Sequence, residues 1–313
     1  MKYSVLDFST KETTVSTRKS LNDRVKLARL AESLNYTRFW ISENDSNPVI
    51  VGSTPELVMS HLALATNDIR IGSAGIMVPY YNGEKIADTF KTMAIVRNSR
   101  IDVGIGQVAG SGQWFSKALN ENKTEFSRFA NEMNELKRLL GSSITMKEKS
   151  SYASLMQTGS PEIFILNSHP QSVGLTANIG AGFFAAHYLN PSIELKEAAK
   201  KYREQFVKSE LVEKATVILG VFIAIGESSE ENEQLKKEFA QWNQLNQDSS
   251  VISPLQEAII GSAEQVVEKV SQMAEEYQAD EVMLIPNIDN NARREKTIQL
   301  FADALSKKRK AYF

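Results

Sequence analysis

Short apolar runs alternate with longer amphipathic stretches along the whole chain. The runs are Tyr3 to Phe8, RFWI at 38–41, IRIGSAGIMVP at 69–79, IDVGI at 101–105, PEIFIL at 161–166, GFFAAHY at 182–188, ATVILGVFIAI at 215–225 and EVMLI at 281–285. They are rich in Val, Ile and aromatic residues and nearly continuous, as strands covered on both faces should be. Between them apolar residues return at helical spacing over 21–35, 55–66, 84–97, 125–140, 172–179, 193–211, 227–247, 262–279 and 291–305. Thr54 followed by Pro55 is a favourable N-cap and N1 pair for the second of these helices. Strand and helix thus alternate about eight times in one pass, which predicts a (β/α)8 TIM barrel over residues 1–313 as a single domain. An open doubly wound sheet shares the alternation and is the competing architecture. No strand runs into a G-x-G-x-x-G that opens a helix, so a Rossmann fingerprint is missing.

The run at 69–79 is broken at its middle by Gly72, Ser73, Ala74 and Gly75. Glycine inside a strand marks a bulge, a ligand against the main chain, or close packing of neighbouring strands. The stretches 107–125 and 141–160 are rich in Gly, Ser, Thr and Lys and read as loops.

Composition narrows the chemistry. The 313 residues hold 36 basic and 38 acidic side chains, so there is no electrostatic reason to expect nucleic acid or an anionic membrane surface. There is no cysteine, hence no disulfide framework and no thiolate chemistry. With His61, His169 and His187 as the three histidines, a histidine-rich metal site is not expected, and no metal is. No apolar segment is long enough to span a bilayer and no leader pattern opens the chain, so a cytoplasmic protein is expected.

In a barrel the chemistry belongs at the carboxyl ends of the strands. Those ends carry Asp7 and Ser9; Glu43, Asn44 and Asp45; Ser73, Ala74 and Gly75; Gly104, Gly106 and Gln107; Asn167 and Ser168; His187 and Tyr188; Gly226; and Asn287. The set is mostly polar and uncharged, without clustered carboxylates for a divalent cation. It suits an organic cofactor held by hydrogen bonds. Asn167, Ser168 and Ser172 at a helix start make either a phosphate seat or an ordinary helix cap.

RFWISEN, the 55–66 helix, IRIGSAGIMVP, SRIDVGIG, PEIFILNSHPQS, GFFAAHYLNP and IIGSAEQVVEKV leading to ADEVMLIPNI occur in an order that resembles the bacterial luciferase-like flavin monooxygenases. The resemblance implies a barrel that binds reduced FMN, or the deazaflavin F420 in other branches, with dioxygen activated at the flavin. It also implies a separate flavin reductase as the source of reductant, and a small-molecule substrate. Position by position, Ala74 and Gly75 fall at a non-prolyl cis peptide beneath the flavin ring, with Ser73 before them as a further cofactor-binding position. Asn167, Ser168 and Ser172 match the phosphate-binding turn, and His187 falls on the strand lining the ring. The family's catalytic histidines correspond to Asn44 and Asp45, of which only Asp45 exchanges protons, and then only if burial raises its pKa. Gln107 stands where an arginine commonly clamps the phosphate, which removes a charge-assisted contact. Two classes follow: a two-component flavin monooxygenase, or a degenerate barrel acting by association, with an F420-linked oxidoreductase as a third. The apolar 55–66 helix, with Leu57, Val58, Met59, Leu62 and Leu64, is expected to be buried by its own barrel or by the second subunit of a homodimer.

Overall fold

The structure is a computed structural model and describes residues 1–8, 15–43, 54–78, 81–96, 100–106, 125–141, 161–167, 172–189, 191–247, 258–288 and 290–310, with backbone alone for 125–128 and 242–247. Asn44, Asp45, Gln107 and Ser168 lie outside the described residues. Each predicted apolar run forms a strand. They are β1 (Lys2–Asp7), β2 (Arg38–Ile41), β3 (Arg70–Ser73) with β4 (Ile76–Met77), β5 (Asp102–Gly106), β6 (Glu162–Asn167), β7 (Gly182–Ala185), β8 (Val217–Ile225) and β10 (Glu281–Ile285). A short β9 (Ile259–Gly261), not expected from the sequence, pairs with the end of β8. The helices are α1 (Thr17–Ser33), α2 (Pro55–Ala65), α3 (Gly83–Val96), α4 (Glu125–Leu140), α5 (Val173–Ile179), α6 (Ile193–Gln205), α7 (Ser229–Gln247), α8 (Ala263–Glu276) and α9 (Asn291–Lys310).

All strand pairings are parallel, in the order β3-β2-β1-β10-β8-β7-β6-β5-β4. Ile71 of β3 also bridges Ile101, just ahead of β5. β3 and β4 are therefore two pieces of one stave, broken at Ala74 and Gly75, and nine strands close as an eight-stave barrel. The open-sheet alternative is excluded.

Two apolar clusters follow from strand alternation. Val5, Phe39, Ile41, Ile71, Val103, Ile163, Ile165, Phe183, Ala185 and Leu284 face the helices, while Leu6, Trp40, Ala74, Phe164, Phe184, Phe222, Met283 and Ile285 fill the barrel. At the amino end the interior is charged. Arg38, 4% exposed, sends Nη1 to Asp102 (2.8 Å), Nη2 to Glu162 (3.0 Å) and Nε to both oxygens of Glu281 (3.1 Å), and Trp40 Nε1 donates to Asp102 at 3.0 Å. A charge at the start of four buried strands becomes one connected plug.

Local predictions hold with corrections. Pro55 does open α2, but Thr54 makes no side-chain cap bond. Met59, Leu62 and Ala63 of α2 are buried, whereas Leu57 and Leu64 are 68% and 66% exposed, so its own barrel covers one face only. The 193–211 helix stops at Gln205 because the chain turns back onto α5, with Val207 N donating to Ala177 O and Ser209 Oγ to Gly180 O. Gly180 has φ 69°, and a Cβ there would lie 2.4 Å from Val207 O, so glycine is required.

Helix α1 is tied to the start of β3 by one carboxylate. Glu32 Oε1 accepts from the main-chain N of Asn67, Asp68 and Ile69 at 2.8, 2.7 and 3.0 Å. Burial alone would raise its pKa, but these three donors and nearby Arg100 outweigh it and hold the carboxyl below its ordinary value. A lowered folded-state pKa contributes stability above the unfolded value, about 4.3 for Glu, that is lost as pH falls through the folded value. Glu32→Gln should therefore lower Tm at pH 7 and have little effect at pH 3. Paired thermal melts at the two pH values check this, and an equal Tm loss at both would refute the charge-based account.

Candidate functional site

The carboxyl rim is built around the break between β3 and β4. Ala74 N donates to Ile41 O at 2.7 Å, carrying the ladder past the last residue of β3. The Ala74–Gly75 peptide bond is cis, as the family resemblance implies. Gly75 lies against β5, where a Cβ would come 2.7 Å from Gly106 N and 2.8 Å from Ile105 C. A Cβ on Gly104 would lie 2.0 Å from Ser73 O, and one on Gly72 2.3 Å from Trp40 Nε1. Close strand packing thus accounts for Gly72 and Gly104. Ala74, small and 6% exposed, belongs to the interior cluster.

Alternation sorts the sequence-predicted residues onto two faces. Ser73 Oγ donates to Gly104 O at 3.0 Å and is spent between strands. Glu43, 5% exposed, accepts from Met77 N at 2.9 Å and from Tyr81 Oη, locking the end of β2 to the segment beyond the break. Asp7 faces α1 and α9, where Arg24 Nε donates to it at 2.8 Å and Arg294 Nη1 at 3.4 Å.

Asn167 faces α5. Its Nδ2 donates to Ile165 O at 2.7 Å and its Oδ1 accepts from Ser172 Oγ, with Thr176 Oγ1 at 3.2 Å. Ser172 stands at the cap position of α5 but makes no side-chain cap bond, since its hydroxyl is turned to Asn167. Asn167 and Ser172 are brought together, the Ser172 hydroxyl donating to Asn167 Oδ1.

His187, expected to line the bound ring, is placed differently. Its Nδ1 lies 2.8 Å from Tyr277 Oη, and Tyr277 belongs to the cluster between barrel and helices. Burial, reinforced by Lys196, pushes the imidazole pKa down to about 4, so it is neutral near pH 7. The physical reason is the two-residue period: Phe184, Ala186 and Tyr188 point inward, and His187 between them points out. His61 is an exposed position of α2.

The inward face of the mouth is aromatic, a feature sequence reading passed over. Phe8, Tyr188 and Phe222 form a mutual cluster with centroids 5.2–5.5 Å apart, and Phe239 of α7 packs 5.4 Å from Phe222. Below them Trp40 stacks on Phe184 at 5.7 Å. The signal was the even-numbered spacing of Phe184 and Tyr188 in one apolar run, with Phe222 in the next. Among the described residues no cluster of His, Cys, Asp and Glu could hold a metal ion, and no helix is long and apolar enough to cross a membrane.

The chain is similar to the N-acetyl-S-alkylcysteine monooxygenase of Bacillus subtilis (strain 168), with 26% identity over 318 residues covering 91% of this chain and 92% of that protein. Among solved structures, apo-MsnO8 superposes with TM-score 0.82 at 22% identity, covering 97% of this chain and 98% of that one. The oxygenating constituent of 3,6-diketocamphane monooxygenase from the CAM plasmid of Pseudomonas putida, solved with FMN, gives TM-score 0.72 at 16% identity over 98% of both chains. The model of the luciferase-like monooxygenase family matches residues 1–281, and with the parallel barrel and the broken third stave in place, this chain belongs to that family.

Proposed function

We propose that the protein is an FMN-dependent monooxygenase of the two-component kind, receiving reduced FMN from a separate reductase and acting with dioxygen on a small, largely apolar substrate. The observation that carries this reading is the rim at Ala74 and Gly75, where a small inward side chain and main chain pressed against Gly106 leave a flat surface above an aromatic interior. Such a surface fits a planar ring. The FMN complex of the Pseudomonas putida relative supports the choice of cofactor, and the family match supports the chemistry.

Bound reduced flavin supplies the electrons with which dioxygen is activated. The chain's own residues orient and exclude. Glu43 and Ser73 hold the broken stave in register, Asn167 and Ser172 bond to each other at the end of β6, and we assign the phosphate to Ser168 and Gln107. Phe8, Tyr188 and Phe222 keep water from the substrate side. His187, neutral and turned outward, is released from the catalytic set. Proton transfer is assigned to Asp45, with Asn44, its neighbour in sequence, as a hydrogen-bonding group toward the substrate.

FMN titration followed by flavin fluorescence, with oxygen uptake on adding reduced FMN, tests the proposal. Saturable binding and substrate-dependent uptake are expected. Ala74→Phe, which fills the ring's place without touching the staves' hydrogen bonds, should weaken FMN binding about tenfold or more, roughly 1.4 kcal/mol. Absence of FMN binding by the unmodified protein sinks the FMN reading and leaves the degenerate barrel, or F420 if that cofactor binds instead. The exposed Leu57 and Leu64 are assigned to a homodimer contact on α2, and a monomer by light scattering would overturn that assignment.

A further inference from the structure

One buried side chain at the barrel mouth has no hydrogen-bond partner for either of its polar atoms. Asn287 follows β10, and it is 6% exposed with both Oδ1 and Nδ2 buried and unpaired. Met283 and Ile285 of β10 face the interior. Asn287 stands two residues further on at the carboxyl rim, where its main-chain N donates to Ile285 O at 2.8 Å and the next residue, Ile288, packs with Ala224 and Leu235.

Tyr188 is 3% exposed and its ring lies 5.5 Å from Phe8 and 5.2 Å from Phe222. Gly220 makes room for it, since a Cβ there would come 3.0 Å from Tyr188 Cε1. The phenol has no hydrogen-bond partner among the described residues. Burial raises its pKa above the ordinary tyrosine value, so it is a neutral donor.

Unpaired buried polar groups carry their full desolvation penalty, and native proteins hold few of them. Leucine and phenylalanine would fill the same volumes without that penalty. A carboxamide presents an acceptor and a donor side by side, so its complement is a group with carbonyl and N–H on one edge, as in a lactam or an imide. The aromatic cluster of Phe8, Tyr188 and Phe222 at the mouth favours a flat, apolar ring system carrying that edge.

We propose that Asn287 pairs with a cis-amide edge of the ligand in the mouth, through two parallel hydrogen bonds, while Tyr188 donates a third to the same ring system. The inference rests on the reading that this mouth holds a flavin and an organic substrate, and the edge belongs either to the flavin's pyrimidine ring or to the substrate.

The test titrates wild type, Asn287→Leu and Tyr188→Phe with three probes: FMN, 2-quinolone, and N-methyl-2-quinolone, which lacks the N–H. Wild type should bind at least one edge-bearing probe. Asn287→Leu should weaken that binding about tenfold, the effect of roughly 1.4 kcal/mol in lost hydrogen bonds, and Tyr188→Phe should weaken it less. A loss confined to FMN assigns the edge to the cofactor. A loss confined to 2-quinolone, with the N-methyl compound bound weakly by all three proteins, assigns it to the substrate. Because Asn287→Leu removes a buried unpaired group, that variant should melt at or above the wild-type Tm, by about 2 °C. Unchanged affinity for every probe in both variants, or wild type that binds neither FMN nor 2-quinolone, would overturn the proposal. So would a lowered Tm with unchanged binding, which would make the groups structural. Wild type that binds 2-quinolone but not FMN defeats the FMN reading and leaves this inference standing.

Discussion

Arg38→Met is expected to destabilise the barrel by about 3–5 kcal/mol, the cost of stranding buried charges. Arg38 is the hub of the amino-end plug, and its removal leaves Asp102 and Glu281, buried, and Glu162, partly buried, facing one another without it. Arg70 still reaches Asp102 through Nε at 2.8 Å and Glu162 through Nη2 at 3.4 Å, so the loss falls hardest on Glu281. In urea the midpoint should fall by about 1–2 M, given a slope of a few kcal/mol per molar for a chain this long. Adding Asp102→Asn and Glu281→Gln to Arg38→Met should recover part of the loss, because the stranded charges go with it. The plug also has a pH signature. Burial raises the Asp102 pKa, but Arg38 and Arg70 outweigh it and keep the carboxyl below its ordinary value. Its contribution is therefore complete above about pH 3.9, the ordinary Asp value, and is lost as pH falls through the lowered folded value. An unchanged urea midpoint in Arg38→Met would show that the plug is ornamental to folding.

Gly104→Ala is the second large effect, expected at about 3 kcal/mol, the upper end for inserting a methyl into a packed interior. The added Cβ would lie 2.0 Å from Ser73 O and 3.3 Å from Trp40 Cζ3. The first obstacle is main chain, so β3 and β5 must separate, and the Ser73 Oγ bond to Gly104 O at 3.0 Å is strained with them. Those staves carry Ala74 and Gly75, so FMN affinity should fall along with stability. Gly83→Ala is the matched control. It stands at the start of α3 with nothing within 4 Å of the added Cβ, and should be neutral or stabilising by about 0.4–1 kcal/mol. Urea midpoints and FMN titrations of the two variants check the pair, and equal behaviour of both would remove the packing argument.

Much of this architecture was legible in the sequence because local pattern and global fold agree. Apolar runs bounded by helical patterns gave every stave, and the Gly-Ser-Ala-Gly interruption marked the stave that breaks. β9 escaped because three residues, Ile259–Gly261, are too few for a periodic signal. The end of α6 escaped because Val207 and Ser209 bond to residues distant in sequence, Ala177 and Gly180. The plug was visible only as single charges in apolar runs, and their convergence depends on the register between staves.

The order of elements, the family and the positions where side chains had to be absent were written in the chain itself, since propensity and spacing act locally. Which way each rim residue points was decided by the closed barrel. Strands buried on both faces carry no polar alternation from which to read a facing. Closure fixed the pleat, sending Asn167 and His187 toward the helices and leaving Ala74 and Tyr188 to face the mouth.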